Sequence, residues 1–409
     1  ELLKDPIVSK KLKKYYKTIN LESPDQISTL LFDILGIKSK KLTAGGKQST
    51  DAEVLSEIDH PWVQKYSKYK KLIKVKDTFL KGIRTEITDE NILHTFYHLH
   101  TTRTGRSSSQ SPNWQNIPKR DEEAKKITRS GIKVRKNEKI GEADYGALEV
   151  NIIACTSKEP TLIDYCSDAN ADPHRDTAAD LFLIPSDQVP KKVRFITKNG
   201  YVFPEFYGSY YANCAENLWY NSADLTMNDG MPVHDYLREK GIKCLRKPSD
   251  KKGQASKGTF EYHVKECEEV FWERFPIVKE WQQDTIDFYY KYGYVENMFG
   301  FRRRGYISRN QIVNTPIQGS AFHLLLWSFI QAKKLEKKEK WESKIRGQIH
   351  DSILFTATQN EEQHVLNSLK YIMIEKATKT FDWIVVPLTV EIELSKFGGN
   401  WANLEKIEI

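Results

Sequence analysis

The sequence holds no run of 18 consecutive apolar residues, which excludes a membrane-spanning helix. Its opening residues do not read as a secretory signal peptide. Cysteine is scarce and unpaired in pattern: Cys155, Cys166, Cys214, Cys244 and Cys267 are an odd five without a CxxC spacing. That argues against a disulfide framework or a zinc site and fits reduced thiols inside a cell. No methionine opens the chain at Glu1, so a fragment of a longer product is expected. Acidic residues are outnumbered, 55 against 63 basic ones, for a formal net charge of +8. Such a balance suits a polyanionic partner such as nucleic acid. At 409 residues the chain exceeds what one core usually serves, so two or three subdomains are expected.

What is present centres on Glu142-Ala143-Asp144-Tyr145-Gly146-Ala147-Leu148-Glu149. A short run from Val134 reads as a loop entering a strand, and the apolar stretch from Leu148 to Cys155 has helical length. Asp144 then sits at a strand end beside a turn. Taken alone it also reads as a helix cap. A second stretch, Gly347 to Phe355, places His350-Asp351-Ser352 between apolar flanks, the pattern of a hairpin with an exposed polar turn. Two carboxylates held about 4 Å apart repel by roughly 1–4 kcal/mol. A fold that pairs them normally does so to hold cations.

Residues 1–100 read as helical and basic. Lys10, Lys11, Lys13, Lys14 and Lys17 surround Tyr15 and Tyr16; Lys65, Lys68, Lys70, Lys71, Lys74 and Lys76 are spaced by Tyr66, Tyr69 and Leu72. Such faces either track a phosphate backbone or are simply solvated. Gly45-Gly46 marks a loop, Thr50 and Glu53 have capping-box spacing, and His60-Pro61 interrupts the helix that follows. From Thr101 to Pro118 the composition is that of a loop dense in hydrogen-bond donors. Arg106, Asn113, Gln115 and Asn116 can reach the acceptors of a duplex minor groove, or can form an ordinary polar surface turn.

Further along, Arg194 and Lys198 are four apart on one helical face, a cation pair suited to phosphates. Phe203 and Tyr207 repeat that spacing and can stack on bases, although such pairs are also common in cores. Residues 248–258 read as a flexible exposed loop. Two helices are expected to meet at Phe275-Pro276, with Val264, Cys267, Val270 and Phe271 as a core stripe. A long apolar helix opens at Asn314, and the charge run from Lys333 to Arg346 reads as a solvated helix face.

Thr104-Gly105-Arg106, Pro112-Asn113-Trp114-Gln115-Asn116-Ile117-Pro118, Asp144-Tyr145 with Glu149, Asp172-Pro173-His174 and His350-Asp351 occur in the order seen in the polymerase domain of family A DNA polymerases. From about Asn20 to Trp401 the chain resembles that family. The resemblance implies an α+β right hand: a helical thumb over 1–100, an antiparallel-sheet palm over 101–154 and 311–409, and helical fingers over 155–310 with an insertion at about 221–260. It implies DNA-templated extension of a primer 3′ end from dNTPs, in a bacterial or phage-infected cytoplasm, with primer-template DNA and dNTPs as partners. Two Mg²⁺ ions, replaceable by Mn²⁺, would lie on Asp144, Asp351 and the Tyr145 backbone oxygen. His174, Arg194, Lys198, Phe203, Tyr207 and Glu149 would meet the nucleotide, Glu149 excluding a 2′-hydroxyl. Arg106, Asn113, Gln115, Asn116, Arg303, Asn314, Gln318 and His350 would meet DNA.

The sequence departs from the family in three places. Ser352 replaces a common glutamate, and Phe301 interrupts the pattern before Arg302-Arg303-Arg304. The gap from Lys198 to Tyr207 is one residue longer than the family's usual pattern, so counting forward lands on Val202 and counting back on Phe203. Phe203 is the better stacking ring. A single-subunit RNA polymerase and a non-catalytic primer-template binding module are the alternatives.

Overall fold

The computed structural model describes residues 2–37, 46, 48–51, 54–55, 58–119, 121–168 and 170–408. The capping box at Thr50 and Glu53 and the loop at Gly45-Gly46 lie outside the described residues through Glu53 and Gly45. Among the described residues, no helix is long and apolar enough to cross a membrane. The chain divides into two compact units, residues 1–96 with 110–131, and residues 97–109 with 132–409.

The first unit is helical. Helix α1 (Pro6–Leu12) starts at Asp5, whose carboxylate accepts from the Ile7 and Val8 amides at 2.9 and 3.0 Å. Helix α2 (Pro61–Lys74) begins at the expected His60-Pro61 break, with His60 Nδ1 accepting from Trp62 N. Ile27, Leu31, Phe32, Leu55, Val63 and Tyr66 form one of its cores. Tyr66, one of the rings that space the second lysine cluster, is buried in that core and its hydroxyl donates to Leu21 O at 2.9 Å. Of the second lysine cluster, Lys71 pairs with Asp121, the N-cap of α3 (Glu122–Arg129), and with Glu123.

The second unit is built on a five-stranded antiparallel sheet. Short ribbons β1 (Phe96–His98) with β2 (Ser108–Gln110), and β4 (Tyr294–Glu296) with β5 (Arg302–Arg304), lie outside it. The main sheet has the order β6 (Lys344–Ile349), β7 (Ser352–Thr358), β3 (Glu138–Tyr145), β8 (Val390–Leu394), β9 (Glu405–Ile407). β7 is buried at every position, which explains its unbroken apolar and hydroxyl run. The fold is α+β, as the sequence predicts.

Around the sheet lie α4 (Leu148–Ser157), α5 (Pro173–Phe182), α6 (Lys191–Thr197), α7 (Phe203–Phe206), α8 (Tyr211–Asn221), α9 (Phe260–Arg274), α10 (Pro276–Tyr292) and α11 (Arg309–Glu339). Helices α9 and α10 do meet at Phe275-Pro276. Val264 and Phe271 are core, but Val270 is 47% exposed and is no part of the stripe. Helix α11 starts at Arg309, five residues before Asn314, because Ser308 and Gln311 form a capping box there. It absorbs the charge run only to Glu339; strand β6 takes over at Lys344. Glu336, expected to be solvated, is buried, accepting from Lys333 Nζ and from Ile345 N at 2.9 Å. The 248–258 loop is exposed in part yet tied down: Asp250 accepts from Ser256 N and Oγ, and Gly253 N donates to Glu261.

Candidate active site

Asp144 is the penultimate residue of β3, opposite Ser352 of β7 on one side and Glu391 of β8 on the other. The neighbouring Tyr145 N donates to Asp351 O at 3.3 Å, so Asp144 and Asp351 stand at the same end of two paired strands. Tyr145 is anchored below by its buried hydroxyl, which bonds Ser328 Oγ at 2.9 Å and Met373 O at 2.8 Å. The chain then turns sharply. Gly146 N donates to Thr389 O at 2.9 Å, and a Cβ on Gly146 would stand 2.3 Å from Thr389 Oγ1, so only glycine fits. Ala147 takes a left-handed φ of +48°, a strained choice for a residue with a side chain, and α4 begins immediately. Two-residue closure of the β6–β7 hairpin likewise puts His350 at φ +51°. Ser352 Oγ is buried and turned back onto Ile349 O at 2.9 Å, so the hydroxyl that replaces the family's carboxylate serves the turn.

The first turn of α4 carries Glu149. Its carboxylate accepts from Arg106 Nη2 and from the Tyr207 hydroxyl. Burial and the Glu149 charge push the Tyr207 phenol well above its ordinary value, and Gln318 also bonds it. Tyr207 stacks on Phe203 with ring centres 5.7 Å apart and planes 14° from parallel. Phe203 in turn lies 5.8 Å from the His174 ring, and Lys198 Nζ sits 5.4 Å over its face. Val202, the competing choice, is buried.

The extra residue between Lys198 and Tyr207 has a physical form. After α6 the helix widens into a π segment, Lys198–Val202, which accommodates one additional residue without breaking the helical path. Gly200 allows this, since a Cβ there would meet Asn217 Oδ1 at 2.7 Å. The widened turn brings Lys198 over Phe203, five residues on, where an ordinary helical turn would bring it to Val202.

His174 is buried on α5, whose N-cap is Asp172. Burial, followed by the charges of Lys198 and Arg194, pulls its imidazole down to about 4, so it is neutral at neutral pH. Its Nδ1 is buried without a hydrogen-bond partner among the described residues. Arg194 Nε donates to Asp172, a link that the spacing of Arg194 and Lys198 did not foretell. The signal was there in Asp172-Pro173-His174, an Asx cap preceding a proline at the first helical position.

Around the hairpin, Gln348 is held from two sides: Ser107 Oγ donates to its Oε1 at 2.7 Å, and Tyr97 OH donates to its main-chain oxygen at 2.8 Å. Its amide reaches His350 O. Asn314 and Gln318 lie one turn apart on α11, and Asn314 Oδ1 is buried without a partner among the described residues. Arg303 is not outward-facing: its guanidinium is buried, bonded to Thr315 Oγ1 at 2.8 Å and Gln311 Oε1 at 3.2 Å. Arg302 and Arg304 are the exposed arginines of that hairpin. Asn113, Gln115 and Asn116 belong to the first unit, where Asn113 Oδ1 caps the short turn by accepting from Asn116 N at 3.2 Å.

Asp144, Asp351 and the Tyr145 carbonyl oxygen are hard oxygen donors of the kind Mg²⁺ takes. Among the described residues no group of three or more His, Cys, Asp or Glu forms a metal-binding cluster. A cation here would therefore take two carboxylates and complete its shell with backbone, water or substrate oxygen.

The sequence matches the family described as DNA polymerase family A over residues 6–226 and 256–403. The unmatched stretch between them falls inside the insertion expected at 221–260. It is 29% identical to DNA polymerase I of Bacillus subtilis over 96% of this chain and 41% of that protein. With DNA polymerase I of Caldicellulosiruptor bescii it shares 30% identity over 93% of this chain and 41% of the relative. A solved structure of the POL domain of Pol1 from M. smegmatis, in complex with DNA primer-template and dNTP, superposes with a TM-score of 0.75 at 25% identity, covering 97% of this chain and 64% of that one. The chain thus spans about two fifths of the length of these curated relatives.

Proposed function

The chain belongs to DNA polymerase family A, and on that premise we propose that it is a DNA-templated DNA polymerase, extending a primer 3′ end from dNTPs with release of pyrophosphate. The observation that carries this reading is the placement of Asp144 and Asp351 at one end of paired strands, beside the Glu149–Tyr207–Phe203–His174 cluster. The names of its relatives, and the primer-template and dNTP bound to its structural neighbour, support the same assignment. On the same resemblance, residues 1–100 act as thumb, 101–154 and 311–409 as palm, and 155–310 as fingers. The protein would work in solution inside a bacterial or phage-infected cell.

Asp144, Asp351 and the Tyr145 carbonyl would hold two Mg²⁺ ions, with Mn²⁺ as a substitute. When bound, such ions make the primer 3′-hydroxyl a better nucleophile and neutralise charge on the departing pyrophosphate. The remaining work falls to side chains. Lys198 and Arg194 bind the triphosphate, Arg194 exchanging its Asp172 partner for a phosphate oxygen. His174, neutral as it stands, orients the triphosphate by hydrogen bonding. Phe203 and Tyr207 pack against base and sugar. Glu149, held by Tyr207 and Arg106, fills the space a 2′-hydroxyl would need. Arg106, Asn314, Gln318 and His350 of the second unit meet DNA, as do Asn113, Gln115 and Asn116 of the first. Arg303, whose guanidinium donates to Thr315 of α11, is on the same resemblance also a DNA-contacting residue.

Primer extension on a primed DNA template with Mg²⁺, offering dNTPs and NTPs separately, tests this. The expected result is extension with dNTPs alone, broadened to NTPs in Glu149→Ala. Efficient use of NTPs by the unaltered protein would indicate an RNA polymerase. Tight DNA binding without extension under any metal would indicate a binding module.

A further inference from the structure

Directly behind the Phe203–Tyr207 pair lies a carboxyl group that the chemistry above does not use. Glu205 sits between them in α7 with a relative exposure of 0%. Its Oε1 accepts from Cys214 Sγ at 3.2 Å, while Oε2 is buried and receives no hydrogen bond among the described residues. The group in hydrogen-bond reach is another carboxyl, that of Glu268 on α9, whose Oε1 already accepts from Tyr211 N at 2.7 Å. Two carboxylate oxygens side by side in a dry site are compatible only if one carries a proton. The main chain of the same turn is fastened by buried Gln282 of α10, whose Nε2 donates to Glu205 O at 2.9 Å and Phe206 O at 3.0 Å.

We propose that Glu205 is a positioning residue: as a neutral acid it donates from Oε2 to the Glu268 carboxylate, and this clasp holds the turn bearing Phe203 and Tyr207 in its nucleotide-binding position. Every other titratable group facing it is poor compensation for a negative charge there. Tyr201 on the preceding turn and Cys214 of α8 are held neutral by burial. Lys279 of α10 is the cation in range of it, and it is exposed with its ammonium over the Trp272 ring. Burial first, and the Glu268 charge second, raise the Glu205 carboxyl to about 8. The sign follows: the folded state holds the proton more tightly than the unfolded chain. The clasp's contribution is complete below the ordinary glutamate range and is lost as pH rises through about 8.

The kinetic arm of the test rests on the polymerase reading; the thermal arm does not. Between about pH 6.5 and about pH 9, the Tm of the unaltered protein should fall relative to that of Glu205→Gln, whose amide donates to Glu268 at every pH. Glu268→Gln, able to donate to an ionised Glu205, should flatten the profile in the same way and serves if Glu205→Gln folds poorly. In primer extension, the KM for dNTP of the unaltered protein should rise about tenfold relative to Glu205→Gln by one pH unit above the midpoint, with kcat changing less. Parallel Tm profiles for the unaltered protein and both variants would overturn the proposal, as would equal pH dependence of KM. If the unaltered protein extends no primer, the polymerase reading fails while the Tm profiles still decide the clasp.

Discussion

At the scale of single residues, Glu149 is the side chain with the most to lose. Its carboxylate is fixed by two donors from distant parts of the second unit, Arg106 and Tyr207, and a hydrogen bond to a charged group contributes about 1.5–3 kcal/mol. Tyr207→Phe keeps the stacked ring and removes one donor. Discrimination between dNTP and NTP should therefore drop by about tenfold or more, measured as the ratio of kcat/KM values, while overall folding is retained. An unchanged ratio would mean that Arg106 alone positions Glu149. His174 carries the opposite expectation in charge: neutral at neutral pH, it should tolerate His174→Gln better than Lys198→Ala, since only the second substitution removes a cation, the one proposed to bind the triphosphate.

At the scale of elements, the π segment Lys198–Val202 is the device that sets Phe203 beneath Lys198. Deleting Asn199 would remove the residue that the widened turn absorbs, so an ordinary helical turn would keep Phe203 in phase with Lys198. Retained extension with retained helical circular dichroism is the expected outcome; loss of extension would show that the widened turn is itself needed. Gly200→Ala should cost about 1–3 kcal/mol in urea unfolding, because its methyl group would displace Asn217. The count from Lys198 to Tyr207 already announced one residue too many, and the choice of Phe203 was legible because valine cannot stack. What was not legible is how the residue is absorbed, since that depends on packing against α8 rather than on local spacing. Val270 and Glu336 illustrate the same gap. Period alone put Val270 in a stripe and Glu336 on a solvated face; the neighbours, distant in sequence or across a turn, reversed both. The two aspartates were readable because strand ends and hairpin turns are marked locally by polar residues between apolar flanks, and because their pairing needs only one sheet register. The burial of Arg303 was not legible, as three consecutive arginines in a short strand alternate faces and the interruption at Phe301 hides which one turns inward.

At the scale of the whole molecule, the net charge of +8 and the exposed lysines of the first unit suit a partner with many phosphates. If about six to ten phosphates are contacted, primer-template affinity should fall by roughly 10³-fold or more between 50 and 200 mM salt. A flat salt dependence would remove DNA as the principal partner. The central claim, that Asp144 and Asp351 together make a catalytic centre and not a turn decoration, is tested most directly by single-turnover primer extension with Mg²⁺. Asp351→Asn and Asp144→Asn would be compared with the unaltered protein at saturating primer-template, with DNA affinity measured in parallel. Each variant should lose about 10³-fold or more in rate, the several kcal/mol expected of a lost metal ligand, while binding DNA as before. Extension at near-normal rates by either variant would contradict the account.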